Sequence, residues 1–329
     1  MLNVLITPDG SLSATDGELF ITATLPEAEG MSTLLPHARL LQIVKSCDQT
    51  GEIKLKTSGS TCAISCGKGN WSLPTAPVSS FPAEVHGKPR PMARLPADQF
   101  RAMLSQVKFA IDDKAGRAGL NGMLAEFKNG TLSFVASDSR RLSCAQAEID
   151  QACDDSAAII PKRAVDVLWK MANAAETVQL EVTTNEMLVT LDSTVAWVRL
   201  LSGQFLDWRK LTPERDVPAS VVTAGEFLHA CVMASVCTSD ESKGVDLVLS
   251  KTGISMCGKS GDRGTSSATC SLLELGAERS VRLDPQHVTE WLWPLDSAAA
   301  VEIEVEDGSS AVVLKCDDNY AVIMPLSNP

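Results

Sequence analysis

One pattern, a helix followed by several strands, occurs three times in this chain. It is carried by "LPHARLLQIVKSCDQTGEIKLKTSGSTCAISCGKGNWSLPT" from Leu35, "IPKRAVDVLWKMANAAETVQLEVTTNEMLVTLDSTVAWVRLLSG" from Ile160 and "LDPQHVTEWLWPLDSAAAVEIEVEDGSSAVVLKCDDNYAVIMPL" from Leu283. A proline stands at each helix start, where a backbone N–H is not needed, and Pro36, Pro161 and Pro285 are 125 and 124 residues apart. A repeat of that length is domain-sized, so the fold must consist of copies of one unit.

A second shared block precedes each of these segments. In "NVLITPDGSLSATDGELF", "NGMLAEFKNGTLSFVASDSRRL" and "GVDLVLSKTGISMCGKSGDRG", two strands flank a turn at Asp9-Gly10, Asn129-Gly130 and Thr252-Gly253. The helical patterns "PADQFRAMLSQVKFA" and "TAGEFLHACVMASV" stand before the second and third hairpins, and none stands before the first. The expected fold class is therefore α+β: three tandem domains, each of two helix-plus-strand halves, with the first domain incomplete and lacking its first helix. The proline- and charge-rich stretches "FPAEVHGKPRP" and "TPERDVPAS" place the boundaries at residues 1–86, 87–217 and 218–329.

The composition, 44% hydrophobic and 21% charged, suits large buried cores. No run of eighteen apolar residues occurs, and the opening "MLNVLITPDG" lacks the basic and apolar regions of a signal peptide, so a cytoplasmic location and no membrane partner are expected. The ten cysteines include no CxxC pair, and Cys62 and Cys66 in "CAISC" fall on one face of an alternating strand, as reduced thiols would. His37, His86, His229 and His287 show no metal-ligand spacing, and no catalytic motif is present; neither metal, cofactor nor catalysis is expected. "GISMCGKS", Gly253–Ser260, satisfies the P-loop pattern of a nucleotide-hydrolysing enzyme. Its position in the repeat makes it a hairpin strand, and no helical pattern follows it.

The net charge of −12 is unevenly spread. Residues 1–86 carry 5 basic and 8 acidic side chains, residues 87–217 carry 17 and 17, and residues 218–329 carry 7 and 16. The helical patterns of the middle repeat hold Arg101, Lys108, Lys162, Arg163 and Lys170, and that of the first holds Arg39 and Lys45. Those of the third hold no lysine or arginine. Singly such residues read as a solvated face; their recurrence on one repeated element points to phosphate contact.

Four motifs, arriving in order across the threefold repeat, resemble the bacterial sliding clamp family, the beta subunits of DNA polymerase III: "LNGML" at Leu120–Leu124, "FVASDSRRL", "GQFLDWRKLTP" at Gly203–Pro213, and the terminal "YAVIMPL". The resemblance covers nearly the whole chain, in a divergent form that is shortened at its N-terminus. It implies a homodimeric, head-to-tail ring that encircles duplex DNA without reading sequence and keeps a polymerase attached. The helix lysines and arginines would meet phosphates, joined by Arg117; Ala118 and Gly119 stand where the family often has aromatic residues. The ring interface would pair Trp71 and Leu73 with Val236 and Cys237, and "GTSSATC" replaces an acidic run there. A pocket for short peptides of polymerase and clamp loader would be lined by Leu120, Ser137, Ser139, Arg140, Arg141, Leu142, Leu206, Lys210, Leu211, Val322, Met324, Pro325 and Leu326. Arg140, Leu206 and Ser327 replace a family histidine, proline and basic residue. The non-enzymatic alternative is a degenerate clamp paralogue that keeps the pocket and no longer encircles DNA.

Overall fold

A computed structural model of the chain describes residues 3–24, 30–47, 51–83, 86–112, 119–149, 154–212, 216–239 and 243–327. In chain order, β1 (Asn3–Ile6), β2 (Ser11–Thr15), β3 (Leu19–Thr24) and β4 (Thr33–Pro36) lead into α1 (His37–Ser46), followed by β5 (Lys54–Ser58), β6 (Thr61–Cys66) and β7 (Gly69–Pro74). The second repeat runs through β8 (Arg90–Pro96), α2 (Ala97–Val107), β9 (Gly122–Lys128), β10 (Thr131–Ser137), β11 (Arg141–Glu148), β12 (Ser156–Pro161), α3 (Lys162–Met171), β13 (Thr177–Val182), β14 (Glu186–Leu191), β15 (Thr194–Arg199) and the single turn α4 (Trp208–Leu211). The third has β16 (Ser220–Thr223), α5 (Ala224–Ser235), β17 (Val245–Ser250), β18 (Gly253–Ser260), β19 (Gly264–Cys270), β20 (Arg279–Leu283), α6 (Pro285–Leu292), β21 (Ala300–Glu304), β22 (Val312–Cys316) and β23 (Asn319–Ile323).

Local chemistry sets the element boundaries. Pro36, Pro96 and Pro161 cap α1, α2 and α3 in an extended conformation without a side-chain cap, because the fixed proline φ ends a strand and the missing N–H costs a helix start nothing. Pro285 is instead the first residue of α6, and Asp284 Oδ1 accepts from Gln286 N at 3.0 Å. The β9–β10 turn uses Asn129 and Gly130 at φ 52° and 75°, the twisted hairpin turn those residue types favour.

Contacts divide the chain into two compact units, Met1–Arg94 with Ala175–Leu200, and Leu95–Ala174 with Leu201–Pro329. The first contains an eight-stranded sheet in the order β4-β1-β2-β3-β15-β14-β13-β8 and the three-stranded sheet β5-β6-β7. In the second, an eight-stranded sheet is ordered β12-β9-β10-β11-β23-β22-β21-β16 and a four-stranded one β19-β18-β17-β20. The pairings are antiparallel. Each eight-stranded sheet thus joins the hairpin half of one repeat to the other half of the next, at β3–β15 and at β11–β23. The joints share a register: Thr194↔Ala23 through Val198↔Leu19 in one, Asn319↔Ala145 through Ile323↔Arg141 in the other.

In the first unit, Ile6, Leu35, Ile43, Cys62, Ile64 and Leu73 form one buried cluster. Cys62 and Cys66 lie on the same buried face of β6, and the described cysteines are free thiols. In the second unit Phe100 on α2 meets Phe134 on β10 edge to face at 5.8 Å, and a larger core gathers Phe227, Trp291 and the inward faces of β17, β18, β21 and β22. No helix among the described residues is long and apolar enough to cross a membrane.

The P-loop pattern is contradicted. Gly253–Ser260 is one uninterrupted strand, β18, paired on both sides by β17 and β19, so its amides belong to the sheet and no phosphate cradle exists. Gly258 has a packing reason: a Cβ there would lie 2.3 Å from the Ala234 carbonyl oxygen and 2.9 Å from Thr238 Cγ2, where the end of α5 crosses the strand. Gly258→Ala is expected to lower the unfolding free energy by about 1–3 kcal/mol, read from urea denaturation. A nucleotide should leave the denaturation curves of both proteins unchanged.

Candidate functional site

The turn between β10 and β11 and the end of β23 come together in the second unit. Ser139 takes φ 73°, and Ser137 Oγ bridges the turn, donating to the Arg141 carbonyl at 2.8 Å and accepting from Ser139 N at 3.2 Å. Asp138 Oδ1 accepts from the amides of Arg140 and Arg141, both at 3.0 Å. β11 continues against β23 with Leu142 opposite Val322, and Met324 N donates to the Arg140 carbonyl at 2.9 Å. Leu326 N is held by the Arg282 carbonyl at 2.8 Å.

Beneath this joint lies an apolar cluster. Leu120, Leu142 and Val322 are buried in it together with Leu124, Val135, Cys144, Ile159, Phe205 and Trp208, and Leu206 and Tyr320 pack on its edge. Two large apolar side chains beside it stay half exposed, Leu211 at 50% on the turn that carries Trp208, and Met324 at 50% two residues after Val322. Burial pushes the Cys144 thiol up to about 12 and drives the Tyr320 phenol upward as well, so neither ionises near neutrality. The loop from Gly203 is fixed by Arg209, which stacks on Trp208 at 4.1 Å and forks onto Glu126, with Nη1 3.0 Å from Oε1. Lys210 is exposed and pairs with Asp207 at 2.7 Å. Pro325 is half-buried; Ser139 and Arg140 are exposed, while Ser137 is buried. Sequence reasoning missed Phe205 and Trp208, although both stand in the quoted "GQFLDWRKL" run.

The adjacent arginines part company. Arg141 is buried: Nε lies 3.0 Å from Asp138 Oδ2, Nη2 donates to the Phe109 carbonyl at 2.9 Å, and Nη1 pairs with Glu290 on α6 at 2.5 Å. Nearby, burial and the Arg141 charge hold His287 below its usual range, favouring the neutral ring. The Arg141 head thus faces protein groups, whereas the Arg140 head faces solvent.

A second assembly is cationic. The Trp169 ring on α3 is bracketed by Arg101 at 4.4 Å and Lys108 at 3.7 Å, and its Nε1 donates to Ser105 Oγ at 2.6 Å. Lys108 reaches Asp166 at 3.8 Å. Desolvation, then the charges of Lys170 and Arg101, lower its pKa against the opposing pull of Asp166. These cations therefore share a field that a phosphate would relieve. Lys162 and Arg163 occupy the first turn of α3, which holds no acidic residue, although the helix dipole disfavours cations there. Arg39 and Lys45 are exposed on α1 of the first unit. Arg117 lies outside the described residues.

The remaining predicted positions divide by unit. Leu73 is buried in the core beneath β7, and the half-buried Trp71 ring folds over Gly69, where a Cβ would meet it at 2.2 Å. Val236, just past α5, is 72% exposed, next to the partly exposed Val232 and Met233. Cys237 is half-buried and donates its amide to Ser266 Oγ at 3.1 Å. Among the described residues no cluster of histidine, cysteine or acidic side chains could hold a metal ion.

Comparison with known proteins gives a consistent picture. Residues 3–85 match the model of the DNA polymerase III beta subunit N-terminal domain, and residues 94–207 that of its central domain. The beta sliding clamp of Vibrio cholerae is 25% identical over 323 residues, 96% of this chain and 88% of that protein. That of Escherichia coli K12 is 23% identical over 341 residues, 98% and 90% of the two chains. Among solved structures, the Pseudomonas aeruginosa sliding clamp bound to griselimycin superposes with a TM-score of 0.90 at 20% identity, covering 99% of this chain and 91% of that one. The Bacillus subtilis DNA polymerase sliding clamp gives 0.89 at 20% identity, covering 100% and 91%.

Arg141→Ala leaves Asp138 and Glu290 without their shared cation and is expected to destabilise the chain by about 2 kcal/mol in urea unfolding, reduced from the fully buried case because both carboxylates are partly exposed. Arg140→Ala should stay within about 0.5 kcal/mol.

Proposed function

Because the chain belongs to the DNA polymerase III beta subunit family, we propose that it is a sliding clamp: two copies close head to tail around duplex DNA and hold a polymerase there through the groove at Leu142 and Met324. The observation that carries this is the unfinished sheet topology. Both joints within the chain fuse a hairpin half to the half that follows in the next repeat, which leaves β17–β20 without a following half and β5–β7 without a preceding one. Their unpaired edges, β19 and β7, correspond to β11 and β23.

The repeat register supplies the pairing. Gly69 follows the β6–β7 turn as Thr194 and Asn319 follow theirs, and β19 holds in its sheet the place of β3 and β11 in theirs. Two copies would therefore join antiparallel, β7 of one along β19 of the other. That places Trp71 by the end of α5, where Val236 is exposed. A second such joint closes the ring, because the interface is heterologous and the rotation returns to the start.

Inside such a ring, Arg39, Lys45, Arg101, Lys108, Lys162, Arg163 and Lys170 are the residues to meet phosphates, joined by Arg117. Phosphate contacts carry no sequence information, so affinity comes from released counterions and retention from topology. The chain makes no bond and breaks none; it works in the cell interior as an accessory to the polymerase.

At the groove, a short peptide from the polymerase or the clamp loader would bury leucine and phenylalanine side chains against Leu142, Val322, Leu206, Leu211 and Met324, with Leu120 beneath and Pro325 and Leu326 behind. Ser137 and Arg141 hold the turn, and Ser139, Arg140 and Lys210 present polar groups at the rim.

Two measurements check the reading. Trp71→Ala and Val236→Asp should each convert a dimer seen by light scattering into monomer, through about 2 kcal/mol or more of lost association, and should abolish retention on closed circular DNA. An unmodified chain that stays monomeric at micromolar concentration would instead favour the non-encircling paralogue. A peptide with glutamine followed by spaced leucine and phenylalanine should bind with micromolar affinity in calorimetry, and Met324→Asp should eliminate the heat signal.

A further inference from the structure

The β3–β15 joint carries the same main-chain bonds as the β11–β23 joint. Arg199 N donates to the Glu18 carbonyl at 2.8 Å, as Met324 N donates to the Arg140 carbonyl at 2.9 Å. The shared register puts Phe20 where Leu142 stands, Trp197 where Val322 stands and Arg199 where Met324 stands. Glu18 occupies the position of Arg140, so the charge at the hairpin tip is reversed. Beside this joint, wholly within the first unit, lies a cavity of about 320 Å³.

We propose that this cavity is a second peptide groove, which takes an extended segment carrying an arginine or a lysine. Three rings line it: Trp197 lies directly across the strands from Phe20, the His86 ring stacks on Trp197 at 4.0 Å with 2° between planes, and the Phe20 ring lies 5.6 Å from His86. Aromatic faces attract cations. Two carboxylates line the same cavity, Glu18 and Glu186, the latter with Oε1 3.3 Å from His86 Nδ1. The lining thus holds two carboxylates and one guanidinium, that of Arg199, which is exposed. The volume is at the lower end of ligand sites and admits one long side chain with a flanking residue. The peptide class of the ligand rests on the reading of the β11–β23 joint as a peptide groove; the preference for a cation rests on the first unit alone.

The test is an NMR titration of the isotope-labelled full chain with acetyl-Ala-Arg-Leu-Ala-amide, and with acetyl-Ala-Glu-Leu-Ala-amide as the counterpart. The arginine peptide should shift the Gly17 amide and the Trp197 indole N–H with a dissociation constant of about 1 mM, and the glutamate peptide should not. Glu18→Lys, an exposed change at the hairpin tip, should weaken the arginine peptide at least tenfold. The glutamine-leucine-phenylalanine peptide is titrated into the same proteins and should respond to Met324→Asp and ignore Glu18→Lys. Absence of shifts at about 5 mM, equal shifts by both short peptides, or shifts that survive Glu18→Lys would overturn the proposal. Failure of the leucine-phenylalanine peptide alone would overturn only the groove at Met324.

Discussion

Antiparallel pairing between strands of successive repeats is the interaction on which the rest of this molecule depends. A β-sheet edge presents a row of unpaired N–H and C=O groups that must be paired, covered or blunted. Within the chain two edges are resolved by joining β3 to β15 and β11 to β23, each time fusing halves from neighbouring repeats. The same rule leaves β19 and β7 open at the two ends of the series. Two different open edges at opposite ends of one chain favour a head-to-tail assembly more than a flat apolar patch would, because strand hydrogen bonds define both direction and alignment.

Those joints also create the sites. Where a hairpin tip meets the end of the next repeat's last strand, a step forms beside the sheet, and its chemistry is set by the few side chains that crown it. At β11–β23 the step is leucine-, valine- and methionine-rich, with Arg140 at the tip. At β3–β15 it carries Phe20, Trp197 and His86 with Glu18 at the tip. On the proposed reading, one backbone arrangement serves two opposite preferences, set by the side chains that crown it.

Charge is divided among the elements in a comparable way. Helices α2 and α3 concentrate cations around Trp169, with Lys108 held below its usual pKa by burial and by its neighbours, whereas α5 and α6 carry Glu226 and Glu290 and no lysine or arginine. An acidic chain can thus present a positive surface locally, since the field close to a surface follows the nearest groups and is screened beyond about 10 Å at moderate salt. Glu290 is not idle in this scheme: it neutralises the buried Arg141 and ties α6 to the turn between β10 and β11.

The sequence by itself determined the repeat, the element types and most of the strand turns, because hydrophobic period, proline at helix starts and Asn-Gly at hairpins act over a few residues and leave a local trace. It also exposed the P-loop pattern as a strand, since repeat position outweighs a coincidence at four specified positions. Tertiary structure alone decided which halves share a sheet, because strand pairing between Ala145 and Asn319 spans a separation that no local pattern records. It decided the fate of the adjacent arginines as well. Arg140 and Arg141 are indistinguishable as letters, yet the β11 register turns one outward and the other into Asp138, Phe109 and Glu290, residues brought together only by the packing of α2, α6 and the turn. Phe205, Trp208 and Tyr320 join the apolar cluster for the same reason: their burial is a property of the joint, which exists only once two repeats have paired.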